Sequence, residues 1–140
     1  MNQSLTAHLV VPVVNKEDAR ATARCLREYP YAEVTVVHVV EKTGNASDKL
    51  SLEQAEMLAT EFFSAFREIL PDVETELVYH EDVVGGIVDL AVAVDGSAIA
   101  FRPRGGSRLV QLLAGDKALK LVTKSDLPVI TLTDTDAEDS

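Results

Sequence analysis

Apolar and polar residues follow one another in blocks along the chain. Short continuous apolar runs, bounded by turn-forming residues, are typical of strands that are buried on both faces of a sheet. The third run alternates only weakly, which favours a position nearer a sheet edge. The pattern predicts five strands, at residues 8–14, 34–40, 73–79, 97–101 and 128–132.

The segments between these runs carry apolar residues at the spacing of amphipathic helices. Asn15 and Ser51 are expected to cap the first two helices, and Pro30 and Pro71 to end them. The inward faces are predicted to be Ala19, Thr22, Ala23 and Leu26 in the first helix, Leu52, Ala55, Leu58, Phe62, Phe66 and Ile69 in the second, Val84, Ile87, Val88, Ala91 and Val94 in the third, and Leu109, Leu112, Leu113, Leu121 and Val122 in the fourth.

The resulting order of elements is β-α-β-α-β-α-β-α-β. This alternation predicts an α/β fold, a parallel sheet with right-handed crossovers and helices on both faces, for which two strand orders are possible. Ligands of such folds bind at the carboxyl ends of the strands, which points to the loops 14–16, 40–44 and 102–107. We predict one domain over residues 1–133 and an acidic disordered tail over residues 134–140.

Composition and charge argue against several classes of function. The formal net charge of -10 disfavours binding to nucleic acid or anionic lipid, because both require cationic neutralisation. The chain shows neither an apolar run of membrane-spanning length nor a signal-peptide layout, so we expect no membrane insertion and a cytoplasmic location. No metal-ligand spacing, nucleophile elbow, Walker A loop or dinucleotide fingerprint is present, so an enzyme is not expected.

Of the histidines, His38 is expected in the core or at a strand end, and His8 and His80 at the surface.

The strongest candidate chemistry lies at residues 101–116, which read F-R-P-R-G-G-S-R-L-V-Q-L-L-A-G-D. Arg102, Arg104 and Arg108 follow a predicted strand and precede a predicted helix, where peptide N–H groups and the helix dipole can hold an anion. Three interpretations are open. The arginines are solvated and pair with surface carboxylates, or they form an anion site with guanidinium forks, or they form a patch for a protein partner.

Three segments of the chain resemble the universal stress protein family. H-L-V-V-P-V-V, V-T-V-V-H-V-V and S-D-L-P-V-I-T-L are similar to the first, second and closing strands of that family. Its nucleotide-binding members carry G-x2-G-x9-G-[ST] after the fourth strand, and the same spacing here has Arg102, Gly105, Gly115 and Asp116. The resemblance covers essentially the whole chain, and with it we predict a five-stranded parallel open sheet in the order 3-2-1-4-5.

The chain departs from the family pattern at three positions. Arg102 replaces the first Gly, Asp116 replaces Ser or Thr, and Val14 stands where nucleotide-binding members usually have an Asp for the ribose. A Cβ obstructs the approach of the backbone to a phosphate, an ionised Asp repels it, and Val cannot bond a ribose. We therefore expect no cofactor, or weakly bound ATP or AMP, at a nucleotide or anion site formed by Val13, Val14, Val40, Arg102, Gly105, Gly106, Ser107, Gly115 and Asp116.

The resemblance implies a regulatory or stress-response module. An enzyme on the same scaffold and a phosphoacceptor receiver domain are weaker alternatives, because no base or metal ligand is placed for the first and Val14, Asn15 and Thr133 do not fit the second. We expect a non-catalytic protein that acts on a protein partner and binds ATP weakly or not at all. The alternative is a nucleotide-binding switch for ATP or AMP that uses the arginine-rich loop. The last predicted strand is a short apolar edge, and the resemblance implies that it pairs with its copy in a homodimer at Val129, Ile130 and Thr131.

Overall fold

The apolar run that starts at His8 forms the central strand of a parallel sheet. The structure is a computed structural model that describes residues 5–29, 31–42, 51–102 and 125–132. Its strands are β1 (His8–Pro12), β2 (Glu33–Glu41), β3 (Glu74–His80), β4 (Ala98–Phe101) and β5 (Val129–Thr131), and its helices are α1 (Lys16–Leu26), α2 (Leu52–Arg67) and α3 (Val83–Ala93).

The strand order is β3-β2-β1-β4-β5, and every pairing is parallel, so the predicted fold class and strand order are confirmed. β1 pairs with β2 from His8↔Glu33 to Pro12↔Val37, and with β4 at Leu9↔Ala98 and Val10↔Ile99. β3 forms one edge of the sheet, as its weaker alternation predicted. The predicted fourth helix, around residues 109–122, lies outside the described residues.

Each described helix begins at a side chain that caps its first turn. The Asn15 side chain accepts a hydrogen bond from the Asp18 N–H, and Ser51 forms a capping box with Gln54. Asp82 caps α3 by accepting from the Gly85 N–H. Such bonds satisfy peptide N–H groups that have no partner within the helix, so these residues fix where each helix starts. The predicted caps of α1 and α2 are confirmed.

The sheet separates two apolar clusters. Helices α1 and α2 cover one face, and α3 covers the other. Alternate residues of β1 face opposite sides, with Leu9 and Val11 in one cluster and Val10 in the other, and all three are almost fully buried. The prediction that this strand is buried on both faces, with helices on both sides, is confirmed.

Two expectations about individual side chains were wrong. His8 is buried, and its Nε2 lies 2.7 Å from the hydroxyl oxygen of Thr35, because the central strand has neighbours on both sides even at its start. Leu52 was expected to face inward but is 55% exposed. It lies in the first turn of α2, and the buried residues of this helix start at Ala55. Periodicity gives the face of a helix but not how far the neighbouring layer extends.

Within the described part of the chain, no helix is both long enough and apolar enough to cross a membrane.

Candidate functional site

The sheet has its topological switch point between β1 and β4. From β1 the chain moves outward through β2 to β3, and it then crosses to the other side of β1 to form β4 and β5. The loops that leave the carboxyl ends of two such strands diverge, which opens a crevice where ligands of open α/β sheets bind. Here the two strands at the switch point are followed by residues 13–15, after β1, and by Arg102, after β4.

The peptide group between Val13 and Val14 is bonded at both ends by side chains. His38, on β2, donates from Nδ1 to the Val13 carbonyl oxygen over 2.9 Å. Asp18, on α1, accepts with Oδ2 from the Val14 N–H over 3.2 Å. The Val13 N–H in turn donates to the Val37 carbonyl oxygen over 2.9 Å. The backbone of the first loop is therefore already engaged within the protein itself.

His38 is a half-buried strand residue with a defined hydrogen-bond role. A carbonyl oxygen can only accept, so the Nδ1 that faces Val13 carries a proton. The edge of the ring meets Phe62, with ring centroids 5.0 Å apart and an interplanar angle of 90°. Burial lowers the pKa of His38, although its bond to Val13 opposes that shift. The sequence placed His38 in the core or at a strand end, and the structure has it within β2, half-buried against Phe62.

Asp18 is the third residue of α1, and its side chain is fully enclosed. Besides the Val14 N–H, its carboxylate accepts from the Thr22 hydroxyl over 3.4 Å, and Oδ1 lies 3.6 Å from Nη2 of Arg102. Burial raises the pKa of Asp18 to about 6, and the Val14 bond, the charge of Arg102 and the Thr22 bond reduce that rise without cancelling it. A carboxyl group at the switch point thus titrates near neutral pH.

Arg102 is buried against this carboxyl group. The residue is 7% exposed, and its Nε is a buried nitrogen with no hydrogen-bond partner in the described part of the chain. The Nη2–Oδ1 distance of 3.6 Å makes the contact with Asp18 an ion pair rather than a well-formed hydrogen bond. For Arg102, the interpretation as a solvated arginine that pairs with a surface carboxylate is therefore wrong.

The structure brings together part of the predicted site. Val13, Val14 and Arg102 lie at the switch point, and Val40 lies half-buried near the carboxyl end of β2, paired with Tyr79. The remaining predicted residues lie outside the described residues, and so do the other two arginines of the loop: Gly105, Gly106, Ser107, Gly115, Asp116, Arg104 and Arg108.

Asp18 is the site residue that the sequence-based prediction did not include. A signal for it exists, because an acidic residue three positions after an N-cap can reach back to the preceding loop. No such signal could link it to Arg102, which lies far away in the chain. Their contact follows from the parallel pairing of β1 with β4.

A second hydrogen-bonded cluster surrounds His80, at the carboxyl end of β3. Its Nδ1 accepts from the Asp82 N–H over 3.0 Å, so the proton is on Nε2, which donates to Asp89 over 3.1 Å. Both ring nitrogens are thereby occupied at the start of α3. Among the described residues, no group of three or more His, Cys, Asp or Glu side chains is placed to hold a metal ion.

Comparison with known proteins gives matches among solved structures. No family model matches the chain, and a search of curated proteins finds no match either. A universal stress protein from Archaeoglobus fulgidus is 25% identical, with a TM-score of 0.60 over 91% of this chain and 93% of that chain.

Two further neighbours are structures with a nucleotide. A universal stress protein from Archaeoglobus fulgidus in complex with dAMP is 24% identical, with a TM-score of 0.59 over 93% of this chain and 100% of that chain. A universal stress protein family protein from Arabidopsis thaliana with AMP bound is 19% identical, with a TM-score of 0.54 over 90% of both chains. The resemblance noted in the strand segments is therefore confirmed in three dimensions, and the chain has the fold of the universal stress proteins.

Proposed function

We propose that this chain is a non-catalytic regulatory module of the universal stress protein type, located in the cytoplasm, that acts through a protein partner and binds nucleotide weakly or not at all. The observation that carries this proposal is the internal ion pair between Asp18 and Arg102 at the switch point. Arg102 stands at the position of the family's first motif glycine, and its guanidinium group contacts the carboxylate of Asp18 in the same chain.

The first loop supports the same conclusion. A nucleotide at this edge needs free peptide groups or a side chain that can bond the sugar. The Val13 carbonyl and the Val14 N–H are both engaged by side chains, and the side chain of Val14 has no polar atom. A ligand would have to break these bonds, and a buried polar group that loses its partner costs about 1–3 kcal/mol.

The proposed lack of catalysis is supported by the titratable groups that the structure describes near the strand ends. Asp18 is enclosed, His38 uses Nδ1 to hold the Val13 carbonyl, and His80 uses both ring nitrogens. A general base must reach the proton of a bound substrate. Asp18 therefore cannot reach a bound substrate, and His80 has no ring nitrogen free to accept a proton.

Nucleotide affinity tests the proposal directly. We expect ATP to bind the unmodified chain at neutral pH no better than about high micromolar, because contacts worth about 1–3 kcal/mol each are missing. Val14→Asp, Arg102→Gly and Asp116→Ser together should raise the affinity at least about tenfold. Titration calorimetry measures both constants.

The structure adds one requirement to that variant. Arg102→Gly leaves the Asp18 carboxylate buried without its cation, so Asp18→Asn should accompany it to preserve charge balance and the bond from the Val14 N–H. Arg20→Ala is the matched control, since it removes an arginine from an exposed ion pair with Glu68. Tight binding of ATP by the unmodified chain would overturn the proposal.

A nucleotide-binding switch for ATP or AMP remains the second candidate, because solved neighbours carry dAMP, cAMP and AMP. It would use the arginine-rich loop in place of the missing motif residues. Mass spectrometry of the protein isolated from its native host separates the two candidates. Co-purified nucleotide in stoichiometric amount favours the switch, and its absence favours the module that binds a protein partner.

We further propose that the module is a homodimer formed through β5. This strand has three residues, lies at one edge of the sheet, and pairs with β4 on its inner side. Val129 and Ile130 are half-buried, and Thr131 is exposed. The peptide groups on the outer side of an edge strand are free to pair, and pairing with a copy about a two-fold axis would satisfy them.

Sedimentation at micromolar concentration tests the predicted homodimer. The wild-type chain should be a dimer, and Ile130→Asp should shift it toward monomer by placing two like charges at the axis. Because Ile130 also packs against the core, Thr131→Lys is the better second variant, since Thr131 is exposed in the described chain. A wild-type monomer, or a Thr131→Lys dimer as stable as the wild type, would contradict the prediction.

A further inference from the structure

Strand β3 forms one edge of the sheet over seven residues. Its register with β2 runs without interruption from Thr35↔Glu74 to Glu41↔His80. The strand reads E-T-E-L-V-Y-H, so it has no proline and no lysine. Natural edge strands are often protected by proline, lysine, a bulge or very short length, and β3 has none of these. A further strand can therefore pair with it without meeting these obstacles.

Alternate peptide groups of β3 point away from the sheet. The Lys42 N–H donates to the His80 carbonyl oxygen over 2.8 Å, so the peptide groups of His80 face β2. Because successive residues of a strand alternate, those of Thr75, Leu77 and Tyr79 face outward. These outward groups have no backbone partner among the residues that the structure describes. Three N–H groups and three C=O groups are thus available to an added strand.

The two faces of this edge differ in chemistry. Leu77 packs against the apolar cluster beneath α1 and α2, and Tyr79 lies on the same face of the strand and is 36% exposed. Glu74 and Glu76 lie on the opposite face, and both are exposed. Neither carboxylate forms an ion pair with a described residue, and the residues paired with them on β2 are uncharged. One face of the edge thus offers apolar contacts, and the other offers negative charge.

We propose that β3 binds an extended segment of a protein partner in which apolar and basic residues alternate. The segment adds a strand to the sheet through the outward peptide groups of β3. Its apolar side chains contact Leu77 and Tyr79, and its lysine or arginine side chains lie opposite Glu74 and Glu76. In this mode of recognition the main-chain bonds supply affinity, and the alternating side chains supply specificity.

The side chains of β3 distinguish this edge from the one proposed for the homodimer. β5 reads V-I-T and carries no charge, so it can meet its own copy without repulsion. β3 carries two exposed carboxylates, and like charges that lie directly opposite each other are destabilising, so an acidic strand is rejected. The same carboxylates attract a basic strand, and they therefore act both for the right partner and against wrong ones.

This inference deepens the proposed function, since it rests on the proposed action through a protein partner and names the chemistry of that partner. The two proposals fail separately. Tight ATP binding by the unmodified chain, measured without any peptide, would overturn the proposed function. Failure of the β3 site appears only in the binding of a peptide.

The peptide acetyl-Lys-Val-Lys-Val-Lys-amide is the probe, and its binding to the full chain is followed by amide chemical shifts at neutral pH and low salt. We expect shifts centred on residues 75–79 and a dissociation constant of about 1 mM or tighter, which weakens as salt is added. Two control peptides separate charge from alternation. Glu-Val-Glu-Val-Glu reverses the charge, and Lys-Lys-Lys-Val-Val keeps the composition but not the alternation. Both should bind at least about tenfold more weakly.

Amide hydrogen exchange tests the main-chain bonds. In the free protein the N–H groups of Thr75, Leu77 and Tyr79 should exchange faster than those of Glu76 and Val78, which face β2. At a concentration of the Lys-Val-Lys-Val-Lys peptide about tenfold above its dissociation constant, exchange at the three outward groups should slow about tenfold. Exchange at the two inward groups should change much less.

Charge reversal on the protein tests the role of the glutamates. Glu74→Lys combined with Glu76→Lys should weaken binding of the Lys-Val-Lys-Val-Lys peptide at least about tenfold and strengthen binding of the Glu-Val-Glu-Val-Glu peptide. The matched control is Glu53→Lys combined with Glu56→Lys, because these two glutamates are exposed on α2 and their reversal changes the net charge equally. This control should bind as the wild type does. Circular dichroism establishes that each variant is folded.

Four results would overturn the proposal. The first is no binding of the Lys-Val-Lys-Val-Lys peptide at millimolar concentration, and the second is equal binding of all three peptides. The third is an equal loss of binding in the two double variants, which would reduce the effect to net charge. The fourth is slow exchange of the outward N–H groups in the free protein, or shifts centred on β5, since either result would mean that the β3 edge is not the open site.

Discussion

Asp18→Ala and Arg102→Met should each lower the free energy of unfolding at neutral pH, because each leaves the other member of a buried ion pair without its partner. The loss should be about 1–3 kcal/mol, because Asp18, whose pKa is raised to about 6, can take up a proton when its cation is removed, and its own removal leaves the Val14 N–H without an acceptor. The side chain of Asp18 is fully enclosed and that of Arg102 is 8% exposed, so water screens the remaining charge poorly. Urea unfolding followed by circular dichroism measures both losses.

The double variant shows whether the two residues act on each other. Asp18→Ala combined with Arg102→Met should lose less stability than the sum of the single variants, by about 0.5–3 kcal/mol, because neither charge is then left unpaired. Losses that simply add would mean that the pair contributes no interaction energy.

The exposed pair of Arg20 and Glu68 is the matched control. Its Nε–Oε1 distance of 2.9 Å is shorter than the 3.6 Å contact between Arg102 and Asp18. The same double-mutant cycle should nevertheless give an interaction of only about 0.2–1 kcal/mol, since water screens an exposed pair. A larger coupling at the exposed pair than at the buried one would refute this account of their energetics.

Folding stability should also depend on pH through Asp18. Its pKa is about 6 in the folded protein and 3.8 in the reference state, so between these values the folded chain binds more protons than the unfolded chain. Stability from this group is then fully present below the unfolded pKa and is lost as the pH rises through about 6. A pKa difference of about two units corresponds to about 3 kcal/mol.

His38 acts in the opposite direction. Its pKa is lowered by burial, so the unfolded chain binds its proton more readily, and stability from this group rises as the pH approaches the ordinary histidine value. The wild-type profile therefore sums two opposing slopes. Unfolding is measured between about pH 4 and about pH 8 for the wild type and Asp18→Asn, and the difference between the two curves isolates Asp18.

We expect Asp18→Asn to lose stability relative to the wild type most strongly at the acid end of that range, where the wild-type carboxyl group is neutral and carries no cost of burying a charge. His38→Asn, whose amide can replace Nδ1 as a donor to the Val13 carbonyl, should remove the opposing slope. A difference curve that stays flat for Asp18→Asn would mean that this carboxyl group does not titrate differently on folding.

The order of elements was predictable because it depends on local pattern, whereas pattern and connection rules left two strand orders possible, and the resemblance to the universal stress protein family selected between them. The apolar run that forms β1 needs burial on both faces, and that in turn requires helices on both sides of a parallel sheet. Asn15 and Ser51 fixed the starts of α1 and α2 through bonds to peptide groups three residues away. These are short-range effects, so they could be predicted without the tertiary structure.

The edge of the sheet at which we predicted the site follows from the topology, because the carboxyl ends of parallel strands lie together. The burial of Arg102 could not be predicted in this way. A loop arginine in an acidic chain is expected in solvent, and only the pairing of β1 with β4 places it beside Asp18. The burial of His8 depends on the same central position of β1, and the exposure of Leu52 on the extent of the layer next to α2.

The sequence by itself thus determined which described segments form strands and helices, because hydrophobic periodicity and helix capping act over a few residues. Only the tertiary structure decided which charges meet there. An ion pair between distant segments leaves no periodic trace in the sequence, and the pKa of Asp18 depends on burial by residues from several elements at once.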